Sequence, residues 1–293
     1  MLMEFQIRLL DTPEEMQTVE VLQQLVWPGN DLEIVPVHML LAAIHGGGLV
    51  IGAFDEDKLV GFVYGFPGFD VTPQGPHPRH CSHMAGVHPD YRDAGIGYKL
   101  KRAQWQIVRK QGLDHITWTY DPLQSRNANL NIAKLGVVCN TYTRDYYGEL
   151  RDGINIGYPS DRFTVDWWVN SNRVNRRLSK QPRPKLDLAH YFGAGASIIN
   201  PSQLSDQQLP SPGTAFLDPA SFAEKPALLL VEIPADIQAI RSADPALALE
   251  WRLHTRGIFE NLFDQDYLVT DFVFLSGKQP RSFYVLTYGE ATL

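Results

Sequence analysis

Cysteine is scarce in this chain, with only Cys81 and Cys139 among 293 residues. Two thiols could close one bridge at most, so no disulfide framework supports the fold, and the pair reads more simply as reduced and intracellular. An excess of basic charge is also missing. The net charge is −7 and the isoelectric point about 5.7, which argues against a dedicated nucleic-acid binder. No apolar run approaches the roughly 20 residues that a membrane-spanning helix needs. The opening MLMEFQIRLLDTPEEMQ reaches acidic residues too early for a signal peptide. These absences point to a cytoplasmic protein whose partners include neither nucleic acid nor membrane. What is present is 44% apolar, 20% charged and 11% aromatic residues, enough for one large domain or two ordinary ones.

Local patterns predict an α/β protein. FQIRLL alternates as a strand, then Thr12-Pro13-Glu14 opens a helix with Met16, Val19, Leu22 and Leu25 at helical spacing until Trp27-Pro28-Gly29. GGLVIGAFDE and KLVGFVYGF form a hairpin, VTPQGPHPRH reads as a loop, and residues 81–87 as a strand. A helix over about 95–111, the strand HITWTY, the helix SRNANLNIAKLG and the strands VVCNTYTRDYY and RFTVDWWV complete a first domain over residues 1–170. Residues 171–185, with six cations and two prolines, read as a solvated linker. Residues 186–293 form a smaller α+β unit: a long proline-rich connection, the strand ALLLVEIP, a helix opened by Asp244-Pro245, and a terminal hairpin.

The most informative stretch is VHPDYRDAGIGYKLKRAQ, residues 87–104. A strand, two glycines one residue apart and then an amphipathic helix make a phosphate cradle. Glycine lets backbone N–H groups turn toward the ligand, and the helix N-terminus favours the anion. The dinucleotide pattern G-x-G-x-x-G requires glycine at 100 and finds Leu100, and the P-loop pattern G-x-x-x-x-G-K-[ST] does not occur.

Val87, Pro89, Arg92, Gly95 and Gly97 fill every marked position of the pattern V-x-P-x-x-[RQ]-x-x-G-x-[GA]. The stretch thus resembles the signature of the GNAT superfamily of N-acyltransferases, as do the strand and helix order over residues 5–170 and the KLGV of Lys134–Val137. The resemblance implies a mixed central sheet flanked by helices. It implies acetyl-CoA or another acyl-CoA as co-substrate, its pyrophosphate held by Arg92, Asp93, Ala94, Gly95, Ile96, Gly97 and Tyr98. It also implies a backbone N–H near Val87 that polarises the thioester carbonyl, and Asn127 or Asn131 bonded to the pantetheine arm. The wider string through YYGELRDGINIGYPSDRF resembles a branch with a C-terminal extension, whose relatives are linked to N-succinylation of amino acids. Succinyl is therefore a second candidate acyl group.

Direct attack by an amine needs a base. Superfamily members often place a carboxylate on the strand before the glycines, and this strand offers His83 instead, with Asp121 in TYDP as its rival. The tyrosine that many members use as acid, on the helix before KLG, is replaced by Ile132, leaving Tyr142 or Tyr147 (with Tyr146 beside it) as substitutes. HPRHCSH gathers His77, His80, Cys81 and His83 without a second cluster, so no metal site is expected. An amino-acid acceptor would need a cation for its carboxylate, from Arg162, Arg252 or Arg256. The C-terminal unit would then cover the acceptor site. The expected function is acyl transfer from an acyl-CoA to a small-molecule amine. An acyl-CoA sensor without turnover and a protein N-acetyltransferase are the alternatives. Oligomeric state stays open, a homodimer included.

Overall fold

The computed structural model describes residues 4–28, 33–148, 158–179, 184–205, 208–213 and 224–289. Residues up to 118 together with 166–170 form one compact unit. Residues 119–148, 158–165 and 171 onward form a second. The division therefore falls inside a strand, whereas the sequence suggested a boundary at residue 170.

The first unit contains β1 (Gln6–Leu10), α1 (Pro13–Val26), α2 (Val37–His45), β2 (Leu49–Asp55), β3 (Lys58–Thr72), β4 (Gly75–Val87), α3 (Ile96–Lys110) and the start of β5 (His115–Tyr120). Strands β1 to β4 are antiparallel in chain order, and β4 then pairs in parallel with β5, giving a mixed sheet. The predicted start of α1 is a complete capping box. Thr12 Oγ1 accepts from Glu15 N at 3.3 Å, and the Glu15 carboxylate accepts from Thr12 N at 3.2 Å. Met16, Val19 and Leu22 of α1 and Leu40 of α2 pack with Leu10, Val50, Phe54, Phe62 and Tyr64 of the sheet. Gly61 points to the other face, where α3 lies, because neighbouring strand residues alternate.

In this unit one element has no signal in the sequence and one expectation is corrected. Residues 37–45 are helical, a segment whose nearly unbroken apolar run VHMLLAAIH carries no readable period. The expected loop 71–80 is instead the far end of a long β3–β4 hairpin that turns between Thr72 and Gly75. Pairing with β5 begins only at His80, so Pro76 and Pro78 sit on a free edge, where a missing N–H costs no ladder bond.

The second unit holds the end of β5 and then α4 (Ser125–Ala128), which continues as π-helix over Asn129–Leu135. Next come β6 (Val138–Thr143), β7 (Arg162–Trp168, whose last residues belong to the first unit), α5 (Asn172–Leu178), α6 (Leu188–Gly193) and β8 (Ser197–Ile198). The short strands β9 (Gln203–Leu204) and β10 (Pro210–Ser211) pair with each other. They are followed by β11 (Leu228–Pro234), α7 (Ile237–Ala243), α8 (Pro245–Asp264), β12 (Leu268–Leu275) and β13 (Arg281–Thr287). The order β6-β12-β13-β11-β8 is antiparallel except for the parallel β11–β8 pair. An aromatic core surrounds Tyr284, with the rings of Phe272, Phe259 and Phe163 at 5.0, 5.3 and 5.5 Å.

The expected linker also needs correction. Ser171 caps α5 through Val174 N at 3.3 Å, Val174 and Leu178 are buried, and Arg177 reaches Asp271 at 3.0 Å. Two apolar residues in seven gave too short a period to read. Residues 149–157, residues 180–183 of the expected linker and half of the proline-rich connection (206–207 and 214–223) lie outside the described residues.

A Cβ at buried Gly61 would stand 2.8 Å from Ile96 Cγ2 and 3.3 Å from the Gly86 carbonyl oxygen. Gly61→Ala should therefore push α3 off the sheet, at a cost of about 1–3 kcal/mol. Thermal denaturation should show a lower Tm, and an unchanged Tm would refute this packing.

Candidate active site

In the first unit, β4 ends at Val87, one tight turn follows (Pro89–Tyr91), and residues 92–95 lead into α3. Gly95 is the N-cap, with φ of 78°, and no side chain caps the helix. A helix leaves its first N–H groups without intrahelical partners, and here a glycine stands where Ser, Thr, Asp or Asn would ordinarily satisfy one. A Cβ built on Gly95 would meet nothing within 4 Å, so the space in front of these amides is open. Asp93 is also left-handed, with φ of 68°. Arg92, Asp93, Ala94 and Gly95 are exposed, Gly97 and Tyr98 are half-buried, and buried Ile96 anchors the turn to the sheet. Two left-handed residues thus stand at the positive end of a 15-residue helix, a geometry that favours an anion.

Strand β4 supplies a second feature. Its pairing with β5 stops at Cys81–Thr117, while its pairing with β3 continues to Val87–Gly61. The β3 register slips between Tyr64–Met84 and Phe66–Cys81, so Ser82 and His83 together oppose Gly65 in a bulge. His83 lies on the accessible face, its ring 5.8 Å from both Tyr64 and Phe66. Protein crowding around the ring holds its pKa below the ordinary histidine value. His80 and Ser82 face α3 instead, and His77 sits 3.7 Å from Asp114. The histidine cluster is thus divided between the two faces of the strand.

The second unit gathers most of the other candidates. Asp121 accepts from Leu123 N at 2.9 Å, as a turn-forming residue before Pro122, and from Arg252 Nη2 at 2.6 Å. Arg252 is completely buried; its Nε and Nη1 have no hydrogen-bond partner among the described residues, and its guanidinium lies 5.0 Å from the Tyr158 ring. Burial alone would lower the Arg252 pKa, but the Asp121 charge outweighs it and raises the value. Tyr142 donates to Asp161 at 2.6 Å, and Arg256 grips the same carboxylate through Nε and Nη2, both at 2.8 Å. Burial would raise the Asp161 pKa; the bonds from Arg256 and Tyr142 reverse that and lower it. Burial, together with Asp161, raises the pKa of Tyr142. Tyr147 is exposed, 3.0 Å from Thr119 Oγ1, with the Arg162 guanidinium 5.2 Å from its ring. Asn127 is exposed and Asn131 buried, and the Asn131 carbonyl closes the π-helical turn by accepting from Gly136 N.

Residues 16–136 match the Acetyltransferase (GNAT) family. This segment belongs to that family. The GNAT domain makes the chain an N-acyltransferase, and acetyl-CoA is the donor the family uses. No curated protein matches the chain. Among solved structures it resembles the ribosomal-protein-S18-alanine N-acetyltransferase from Escherichia coli, at 16% identity over 57% of this chain and 94% of that one, with a TM-score of 0.44. It also resembles the IAA acetyltransferase from Bacillus cereus, at 15% identity over 56% of this chain and 98% of that one, TM-score 0.40. A third is an aminoglycoside acetyltransferase from an uncultured soil metagenomic sample, at 18% identity over 42% of this chain and 82% of that one, TM-score 0.37. Likenesses this loose add no argument of their own.

Within the GNAT domain, Lys101 and Gln104 escaped the sequence reading although both are buried on α3. They interrupt its apolar stripe of Ile96, Leu100 and Val108, and that interruption was the available signal. Asp161 and Tyr158 were missed for another reason. Asp161 draws its side-chain partners from Tyr142 and Arg256, 19 and 95 positions away, and no local pattern displays such a convergence.

Asp121→Asn should leave the fully buried Arg252 guanidinium without its counter-charge. Removing one partner of a buried pair costs about 3–5 kcal/mol. Denaturation should therefore show a large loss for Asp121→Asn and almost none for Tyr147→Phe at its exposed position. Equal stabilities would contradict the pairing.

Proposed function

We propose that the chain binds an acyl-CoA at the start of α3 and along the free edge of β4, and transfers the acyl group to the amine of a small molecule. The observation that carries this reading is the open, uncapped helix start continuing directly from an unpaired strand edge. The pyrophosphate would lie on the N–H groups of residues 92–97, with Arg92 alongside. The pantetheine arm would add to β4 beyond Cys81, as an extended ligand adds to a free strand edge. An N–H near Val87 would donate to the thioester carbonyl as negative charge develops there.

The amine nitrogen attacks that carbonyl, the C–N bond forms, the C–S bond breaks, and CoA leaves as the thiol once it takes up a proton. His83, neutral and accessible, is the base we assign for the ammonium proton. The carboxylate of Asp121 is committed to Arg252, and the hydroxyl of Tyr142 to Asp161, so neither is as free to move a proton. Tyr147 and Asn127, by contrast, are exposed in the second unit, so their hydroxyl and amide are accessible. Complete burial closes the Arg252 guanidinium to an acceptor's carboxylate, while in the second unit Arg256 is held by Asp161 and Arg162 stands over the Tyr147 ring.

Two experiments test this reading. In a thermal-shift titration, CoA, acetyl-CoA and succinyl-CoA should stabilise the protein while NAD does not. At about a hundred times its Kd, a ligand adds about 2.7 kcal/mol. Gly97→Asp, which sets a side chain and a negative charge in the cradle, should abolish that shift yet leave the unliganded Tm close to that of the parent. Stabilisation by NAD, or an unchanged CoA response in Gly97→Asp, would overturn the assignment. The second test is pH. Because the His83 pKa is lowered, its neutral form persists to lower pH than in an ordinary histidine. The acid limb of kcat/KM should therefore fall below pH 6.5, and His83→Asn should remove it. An unaltered limb in that variant would exclude His83 as the base.

A further inference from the structure

Behind the bulge of β4 the first unit buries a polar chain that the acyl-transfer reading leaves unused. Lys101 of α3 is 4% exposed. Its Nζ donates to Ser82 Oγ at 2.8 Å and stands 3.6 Å from the centre of the Trp118 ring. Ser82 Oγ donates to Gln104 Oε1 at 3.0 Å, and Gln104 Nε2 meets His80 Nε2 at 3.1 Å. The remaining ring nitrogen of His80, Nδ1, is buried without a partner among the described residues. Among the described residues no carboxylate pairs with Lys101.

Such a group is expensive to keep. A buried ammonium without a counter-ion costs several kcal/mol, whereas a methionine of similar length would fill the volume at no electrostatic cost. The strain of burial is visible in Lys101 itself, whose pKa is pushed down to about 7, and burial with the Lys101 charge brings His80 down to about 3. The cost is met at one particular place. Ser82 is a bulge residue, and its neighbour His83 projects from the opposite face. A bulge breaks the ladder and leaves the local backbone without full pairing, so its conformation depends on side-chain bonds. Ser82 supplies them by holding Lys101 on one side and Gln104 on the other. Opposite the bulge, Gly65 leaves room only for the His80 ring, since a Cβ there would collide with that ring and with the Cys81 carbonyl. The strand cannot relax in that direction.

We propose that Lys101 is a positioning residue for acyl transfer: through Ser82 it fixes the β4 bulge, and so sets the strand edge and the His83 ring at the reacting thioester. This rests on the reading of β4 as the acyl-CoA edge. Lys101 is not a catalytic residue, because its ammonium is buried between Ser82 and the Trp118 ring, where a ligand along the strand edge does not reach it.

The test compares Lys101→Met, Ser82→Ala and the double variant in the full chain, with acetyl-CoA as donor and the standard amino acids and polyamines as the acceptor panel. Lys101→Met and Ser82→Ala should each lower kcat about tenfold or more while KM for acetyl-CoA stays within about twofold. The double variant should be no worse than the poorer single one, because both break the same link. Hydrogen exchange gives a readout independent of turnover: amides of residues 82–87 should exchange faster in Lys101→Met, while those of the α3 first turn stay unchanged. Should Lys101→Met fail to fold, Ser82→Ala carries the same expectations with only one hydroxyl removed. Wild-type kcat in the variants, additive losses in the double variant, or unchanged exchange at 82–87 would overturn the positioning role while the acyl-transfer reading stands. Absence of turnover in the parent protein, across the panel, would overturn both.

Discussion

The first turn of α3 presents backbone amides that have no carbonyl to receive them and no side chain to cap them. In most helices a Ser, Thr, Asp or Asn removes part of that deficit. Here Gly95 occupies the cap in a left-handed conformation, with open space where a side chain would be. The helix axis adds a partial positive charge at the same point. Buried Ile96 and Leu100 hold the helix against the sheet at Gly61, so the turn is fixed even though its amides are unsatisfied. In the proposed reading a doubly charged pyrophosphate supplies what this geometry lacks, and the rest of the donor site would follow from where β4 delivers the chain.

That delivery depends on a strand paired on one side only. Beyond Cys81 the backbone of β4 keeps its ladder to β3 and loses the one to β5, which leaves a row of polar groups for an extended ligand. The bulge at Ser82–His83 changes which residues face which way. It sends His83 to the accessible face and ties Ser82 into a buried network with Lys101 and Gln104. A polar network in a packed interior rigidifies only if its members are satisfied. This one is nearly complete, with His80 Nδ1 the exception. The first unit therefore places cost in its core and precision at its edge.

Much of this was legible in the sequence because the signals are local. The capping box at Thr12–Glu15, the Asp244-Pro245 helix start and the strand-glycine-helix junction each lie within a few residues. Their physics is set by backbone geometry, which the residue types reveal directly. Strict alternation would put His83 on one face with Cys81, Ala85 and Val87, and it fails at the bulge: the His83 ring lies with Tyr64 and Phe66, whereas Ala85 and Val87 pair with Val63 and Gly61 on the face that α3 covers. What stayed hidden depends on distance or on weak periods. α2 and α5 are too apolar or too short to show a helical pattern. The prolines of 71–80 suggested a loop because nothing local indicates that β5 begins its pairing only at His80. The Asp121–Arg252 pair joins positions 131 apart, and Asp161 becomes the hub of Tyr142 and Arg256 only after folding. Lys101 showed only as a cation within an amphipathic helix, where a solvated position is the ordinary expectation.

The most direct test of the central claim is a pair of amide NMR spectra of the protein, with and without saturating CoA. The account predicts that the largest shifts fall on two stretches of backbone, residues 93–98 at the start of α3 and residues 82–87 along the free edge of β4. Shifts concentrated elsewhere, with both stretches unmoved, would show that CoA does not bind this junction and that the glycines there serve only to start a helix.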